Sequence, residues 1–259
     1  MDGDAAHRTG AVRRIVPCLD VRDGRVVKGV QFGNVEDRGD PATRAAAYEA
    51  QGADELVVLD IGASPGGRET ELETVRRVRE ALTIPLTVGG GVRSTTHARR
   101  LIAAGADKVS VNTAAVERPG LIAELVGEFG SQCVVLAIDA RRRGGGWEAL
   151  VMGGRQSVGL DAVEWACHGV ALGAGELLLT SWDRDGTRRG CDLALLTSVT
   201  RAVSVPVIAS GGIGDRDDIA DGFEAGASAV LAASVFHDAT HSVADIKRDM
   251  VRRQFKVRV

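Results

Sequence analysis

The chain has 259 residues, 44% hydrophobic and 26% charged, with 33 glycines but only five Phe, three Trp and one Tyr. That composition excludes a disordered, collagen-like or disulfide-stapled chain and calls for an aliphatic core, as in parallel strands buried on both faces. A formal charge of −3 provides no global field for nucleic acid or an acidic membrane, so any anion site is local.

Cys18, Cys133, Cys167 and Cys191 show no CxxC spacing and read as reduced thiols, and no apolar stretch reaches membrane-spanning length. Residues 1–13, MDGDAAHRTGAVR, lack the apolar segment of a signal peptide. They are expected to form a flexible N-terminal extension ahead of one domain over 14–259, in a cytoplasmic protein.

In chain order, short β-branched runs appear as RIVPCLD, ELVVLD, PLTVG, KVSVN, CVVLAID, ELLLTS, PVIAS and AVLAAS, which makes eight candidate strands. Helical segments separate them, with Ser94, Asp192 and Asp215 placed to cap N-termini and Gly105 and Gly226 placed to end two helices. Eight such units suit either an open doubly wound sheet or a closed (β/α)8 barrel.

An internal repeat decides for the barrel. GADELVVL (52–59) aligns with GAGELLLT (173–180), IPLTVGGGVR (84–93) with VPVIASGGIG (205–214), and GADKVSV (105–111) with GASAVLA (226–232), all at an offset of 121 residues. RIVPCLDV (14–21) matches CVVLAIDA (133–140) at 119. Two four-strand halves close naturally into one α/β barrel of eight strands.

Catalytic groups in such barrels sit where strands end. Asp20 ends the first strand and Asp139 the fifth, so the repeat sets two carboxylates across the mouth, suited to removing one proton and delivering another. A strand-end Asp commonly just caps a turn; the symmetry favours chemistry. GGG (89–91) with NTAA (112–115), and GGIG (211–214) with ASVF (233–236), form two equivalent glycine and small-polar loops that suit two phosphates. Tight turns alone would also use such glycines. Lys28 lies eight residues after Asp20, with Trp147 in its place in the second half, and reads equally as a phosphate partner or a solvated residue. Asp183 and Asp185 suit substrate hydroxyls or an Asx turn.

At the opposite end, Arg14, Glu55, Lys108 and Glu176 open four strands and suggest a charged plug or gate, although floor charges more often serve solvation. His237 and His241 lack a third metal ligand and read as solvated, RRRGGG (141–146) reads as a mobile loop, and KRDMVRRQFKVR as a solvated helix face. No GxxxxGK, GxGxxG, GxSxG or HExxH is present, and neither metal nor cofactor is called for.

CLDVRDGRVVKG, DELVVLDI, TVGGGVR, GADKVSVNTAAV, GSQCVVLAIDA, GAGELLLTSWDRDGT, ASGGIG and LAASVFH stand in the order and spacing of one family. Over about residues 13–259 the chain resembles the cyclase subunit of imidazole glycerol phosphate synthase, from histidine biosynthesis. The resemblance implies Asp20 and Asp139 as acid and base. It implies a bisphosphorylated ribotide held by Lys28, Gly91, Asn112, Thr113 and Thr180, and by Asp185, Gly186, Gly212, Ala233 and Ser234. Ammonia would come from a separate glutaminase subunit, docked as a heterodimer on the floor, with Arg14, Glu55, Lys108 and Glu176 as the ammonia gate and Asp107 at the docking face. The competing readings are the sister isomerase of the same pathway, which uses no ammonia, and a non-catalytic phosphosugar-binding barrel.

Overall fold

The computed structural model describes residues 12–259 except 31–32, 64–65, 68 and 238–240, with backbone alone at 29–30, 33–35 and 237. The chain enters β1 (Arg14–Arg22), turns back through β2 (Arg25–Val30) and β3 (Gly33–Gly39), and continues into α1 (Pro41–Ala50). The first half then runs β4 (Leu56–Asp60), α2 (Leu72–Glu80), β5 (Leu86–Gly89), α3 (Thr95–Ala103), β6 (Lys108–Val111), α4 (Thr113–Glu117) and α5 (Gly120–Phe129). The second half repeats the plan with β7 (Val134–Arg143), β8 (Gly146–Val151), β9 (Gln156–Asp161), α6 (Ala162–Ala171), β10 (Glu176–Ser181) and α7 (Leu193–Ala202). It ends with β11 (Val207–Ser210), α8 (Arg216–Glu224), β12 (Ala229–Ala232), α9 (Ser234–His237) and α10 (Val243–Arg252).

Eight of these strands pair in parallel in the order β1, β4, β5, β6, β7, β10, β11, β12, and β12 returns to β1 with Arg14 opposite Ala229. This is the closed (β/α)8 barrel expected from the repeat. Successive residues of each strand face alternately the axis and the helices. Ile15, Leu19, Val58 and Leu136 belong to the large apolar layer beneath the helices. Val16, Cys18, Val57, Val135, Leu178, Ile208 and Leu231 make a second cluster inside the barrel. Helix entries follow the local chemistry. Ser94 accepts from His97 N at 3.1 Å and Asp192 from Leu195 N at 3.1 Å, while Asp215 and Asp218 form a capping box. Gly105 and Gly226 follow α3 and α8 with φ of 110° and 103°, conformations that L side chains rarely adopt.

Three expectations are corrected. Arg141–Arg143 do not form a mobile loop; they continue β7 and pair antiparallel with β8, with only Gly144 and Gly145 in the turn. Alternating contacts fix that hairpin: Arg143 Nη1 donates to the buried Glu148 at 2.6 Å, and Arg142 lies over the Trp147 ring. Arg13 belongs to the barrel rather than to the extension, since its guanidinium donates to Ala227 O at 2.6 Å and its backbone bridges to Val257. Residues 1–11 of the expected extension lie outside the described residues.

The third correction concerns α10, which is not solvated throughout. Lys247 is buried and donates to Asp54 Oδ1 at 2.7 Å, while Asp54 Oδ2 accepts from Ile15 N at 2.8 Å, so the last helix is tied to the first barrel strand. Removing one partner of such a pair strands a buried charge. Lys247→Met is therefore expected to lower the unfolding free energy by about 3 kcal/mol, and adding Asp54→Asn should recover part of it; denaturant titration of both variants measures this.

Candidate active site

Two-residue alternation carries β1 from Arg14 on the floor through Val16 and Cys18 to Asp20 at the mouth, and β7 through Val135 and Ala137 to Asp139. Both carboxyls are raised by burial: Asp20 to about 6, with Lys28 pulling it down and Asp185 pushing it up, and Asp139 to about 7, with Asp185 again adding like charge. Asn112 Nδ2 donates to Asp139 Oδ2 at 3.1 Å and to Leu150 O at 3.2 Å, linking the carboxyl to β8. The Cys18 thiol, its own pKa driven up by burial, lies 3.6 Å from Asp20 Oδ1 as a donor. The Lys28 side chain is thus no free solvated group: it faces Asp20 and Asp185 across the mouth.

The mouth holds two adjoining cavities, of about 350 Å³ and about 80 Å³. Gly91, Asn112, Thr113 and Asp139 line the larger; Asp20, Lys28, Asp185, Gly186, Gly212, Ala233 and Ser234 line the smaller. Asp139 and Thr180 border both, and Thr180 stands opposite Asp139 in the strand register. Both carboxyls and all the substrate-contact residues that the resemblance implies therefore line one connected site, whereas Asp183 lines neither cavity.

The glycines are required by close packing. A Cβ on Gly90 would lie 2.2 Å from Asp60 O, and one on Gly211 2.6 Å from Ser181 O, the same contact 121 residues apart. Both residues have positive φ, 89° and 93°. Sequence reasoning missed Arg93 in the larger cavity, Arg188 in the smaller, and Met152, whose N–H donates to Thr113 Oγ1 at 3.0 Å. A lone arginine in a glycine loop carries no spacing signal, and Met152 reaches the site only through the β8–β9 hairpin. Asp183 serves the β7–β8 hairpin instead, accepting from Arg142 N at 2.7 Å. His241 is half-buried, the His237 side chain lies outside what is described, and no metal-binding cluster occurs among the described residues.

The floor charges meet in a closed ring. Arg14 Nη1 bonds Glu55 Oε2 at 2.7 Å and its other nitrogen bonds Glu176 Oε1; Lys108 Nζ lies 2.9 Å from Glu55 Oε1 and 2.8 Å from Glu176 Oε2. Each carboxylate thus meets both cations. Burial lowers the Arg14 pKa, but Glu176 and Glu55 outweigh it and hold the guanidinium charged. Thr87 Oγ1 donates to Glu55 Oε1 at 2.6 Å, and Asp107 at the rim accepts from Leu86 N at 2.8 Å and Arg79 at 3.0 Å.

The family model described as histidine biosynthesis protein matches residues 14–242. The chain belongs to this family. Among members of the family, the chain is 54% identical over 252 residues to the imidazole glycerol phosphate synthase subunit HisF of Corynebacterium diphtheriae, covering 95% of this chain and 98% of that one. The matched span takes in all eight barrel strands, both mouth carboxyls and the whole floor ring.

In this histidine-biosynthesis barrel the raised pKa of Asp139 has a stability cost. Below its ordinary 3.8 the folded and unfolded chains are both protonated there; as pH rises toward about 7 the unfolded chain ionises first and stability falls. Asp139→Asn is expected to stabilise the fold by about 4 kcal/mol near pH 8 and by nothing near pH 3, read from denaturant titrations at each pH.

Proposed function

We propose that the barrel works as the cyclase subunit of imidazole glycerol phosphate synthase. Ammonia adds to the ribulosyl carbonyl of phosphoribulosyl-formimino-aminoimidazole carboxamide ribotide. Ring closure with C–N cleavage then gives imidazole glycerol phosphate and aminoimidazole carboxamide ribotide. The observation that carries this reading is the pair of near-neutral carboxyls, Asp20 and Asp139, between two equivalent glycine loops in a chain 54% identical to a HisF subunit.

The two carboxyls divide the work by environment. Lys28 faces Asp20 and favours its ionised form, which makes Asp20 the base; Asp139 has no such cation and holds its proton to higher pH, which makes it the acid. Ammonia attack leaves a proton to be removed, and loss of the carbonyl oxygen and cleavage of the C–N bond each need one delivered. One phosphate meets Gly91, Asn112 and Thr113; the other meets Gly212, Ala233 and Ser234 with Lys28, while Thr180, Asp185 and Gly186 orient the sugar between them. Asp20→Asn and Asp139→Asn should each lower ammonium-supported kcat by at least about 100-fold with a smaller change in KM. A rate profile with limbs near pH 6 and 7 checks the pairing.

The floor fits delivery of ammonia from a glutaminase partner. Above the ring of Arg14, Glu55, Lys108 and Glu176 the axis is lined by Val16, Val57, Val135 and Leu178, which suit a neutral molecule and exclude ammonium. The ring must rearrange for passage, and Asp107 on the rim suits docking of the partner in a heterodimer. Lys108→Ala should change glutamine-dependent turnover of the reconstituted pair by roughly tenfold or more while leaving turnover with added ammonium salt within about twofold, because free ammonia enters from the mouth. Equal effects on both ammonia sources would leave the ring a structural plug.

A further inference from the structure

His97 is fully buried on α3, yet its Nδ1 lies 3.1 Å from Gly91 O, and Nε2 has no partner. A carbonyl only accepts, so Nδ1 carries the hydrogen. Burial holds the ring below its ordinary pKa and so neutral, leaving this single bond as the use of its polarity. An apolar side chain would fill the space without stranding Nε2.

The neighbouring carbonyl is held in the same way. Thr70, also buried, donates its hydroxyl to Gly90 O. Neither His97 nor Thr70 lines the larger cavity, whereas Gly90, Gly91 and Val92 do, so both carbonyls are drawn toward the protein interior. In a trans peptide the C=O of one residue and the N–H of the next point in opposite directions, and no described peptide is cis. Pinning Gly90 O and Gly91 O inward therefore turns Gly91 N–H and Val92 N–H toward the cavity.

The second half solves the same problem with different atoms. Gly212, the counterpart of Gly91, has its carbonyl held by Gly190 N at 2.9 Å. Asp218, the counterpart of His97, reaches back to the loop from the same helical position and accepts from Gly214 N at 2.7 Å. Anchoring of this carbonyl thus recurs in both halves, by a backbone group in one and by an imidazole in the other.

We propose that His97, assisted by Thr70, is the positioning residue of the first phosphate loop, orienting Gly91 and Val92 N–H toward one phosphate of the substrate without touching it. The proposal rests on the reading of that loop as a phosphate site under the proposed function. The test follows the backbone amides of Gly91 and Gly212 by NMR during titration with inorganic phosphate, alongside steady-state kinetics with the bisphosphate substrate. His97→Leu keeps bulk and removes the donor. It should weaken phosphate at Gly91 by about tenfold, leave Gly212 within about twofold, and raise KM by about tenfold at nearly constant kcat. His97→Asn, whose amide N–H can replace Nδ1–H, should restore binding to within about threefold, and Thr70→Val should weaken the same site should His97→Leu fail to fold. Equal weakening at both loops, unchanged binding at Gly91 in a folded His97→Leu or Thr70→Val, or an Asn variant no better than Leu would overturn the proposal. Absence of any phosphate response at Gly91 in the unaltered protein would overturn the loop reading and this inference together.

Discussion

Closure of eight parallel strands around one axis is the constraint on which everything else depends. Because side chains alternate and β12 pairs back onto β1, inward residues of different strands fall at common heights. Three levels result: the salt-bridge ring of Arg14, Glu55, Lys108 and Glu176, an aliphatic middle of Val16, Val57, Val135 and Leu178, and a mouth with Asp20 and Asp139. A slip of one residue in β1 or β7 would turn its aspartate outward under the helices. The catalytic geometry is therefore a consequence of strand register.

The same architecture sets the electrostatics of the two ends. At the floor, burial of four charges is offset by mutual pairing, since each meets two of opposite sign. At the mouth compensation is incomplete: Lys28 offsets part of the cost at Asp20 and Asp185 but does not act on Asp139, and burial raises the pKa values of all three. Stability is lost there in exchange for groups that change protonation near neutral pH. The glycine loops add fixed partial charges, and their carbonyls are held from behind the site, by the His97 and Thr70 side chains in the first half and by a backbone N–H in the second.

Much of this was legible in the sequence, because a duplicated chain announces its symmetry. All eight barrel strands, both mouth aspartates and the floor ring follow from four segment pairs at offsets of 119 and 121. The features that escaped are those whose partners are distant or unpatterned. RRRGGG has the look of a loop because its strand character comes from pairing with β8 and from Glu148 beneath it, not from its own polarity. Lys247 sits in a run of charges and is buried only because Asp54, 193 residues away, receives it. His97 is a single histidine on a helix, and its role appears only when Gly91 O is seen to accept from it.

The central claim is that the two halves bind the two ends of one substrate, with the aspartates between them. A crystal structure of the chain with a non-reacting bisphosphate analogue of the ribulosyl substrate tests this most directly. One phosphate should lie on the Gly91 and Thr113 backbone, the other on that of Gly212 and Ser234, with the reacting atoms within hydrogen-bond reach of Asp20 and Asp139. A single occupied phosphate site, or a ligand bridging both loops out of reach of the two carboxyls, would contradict the account.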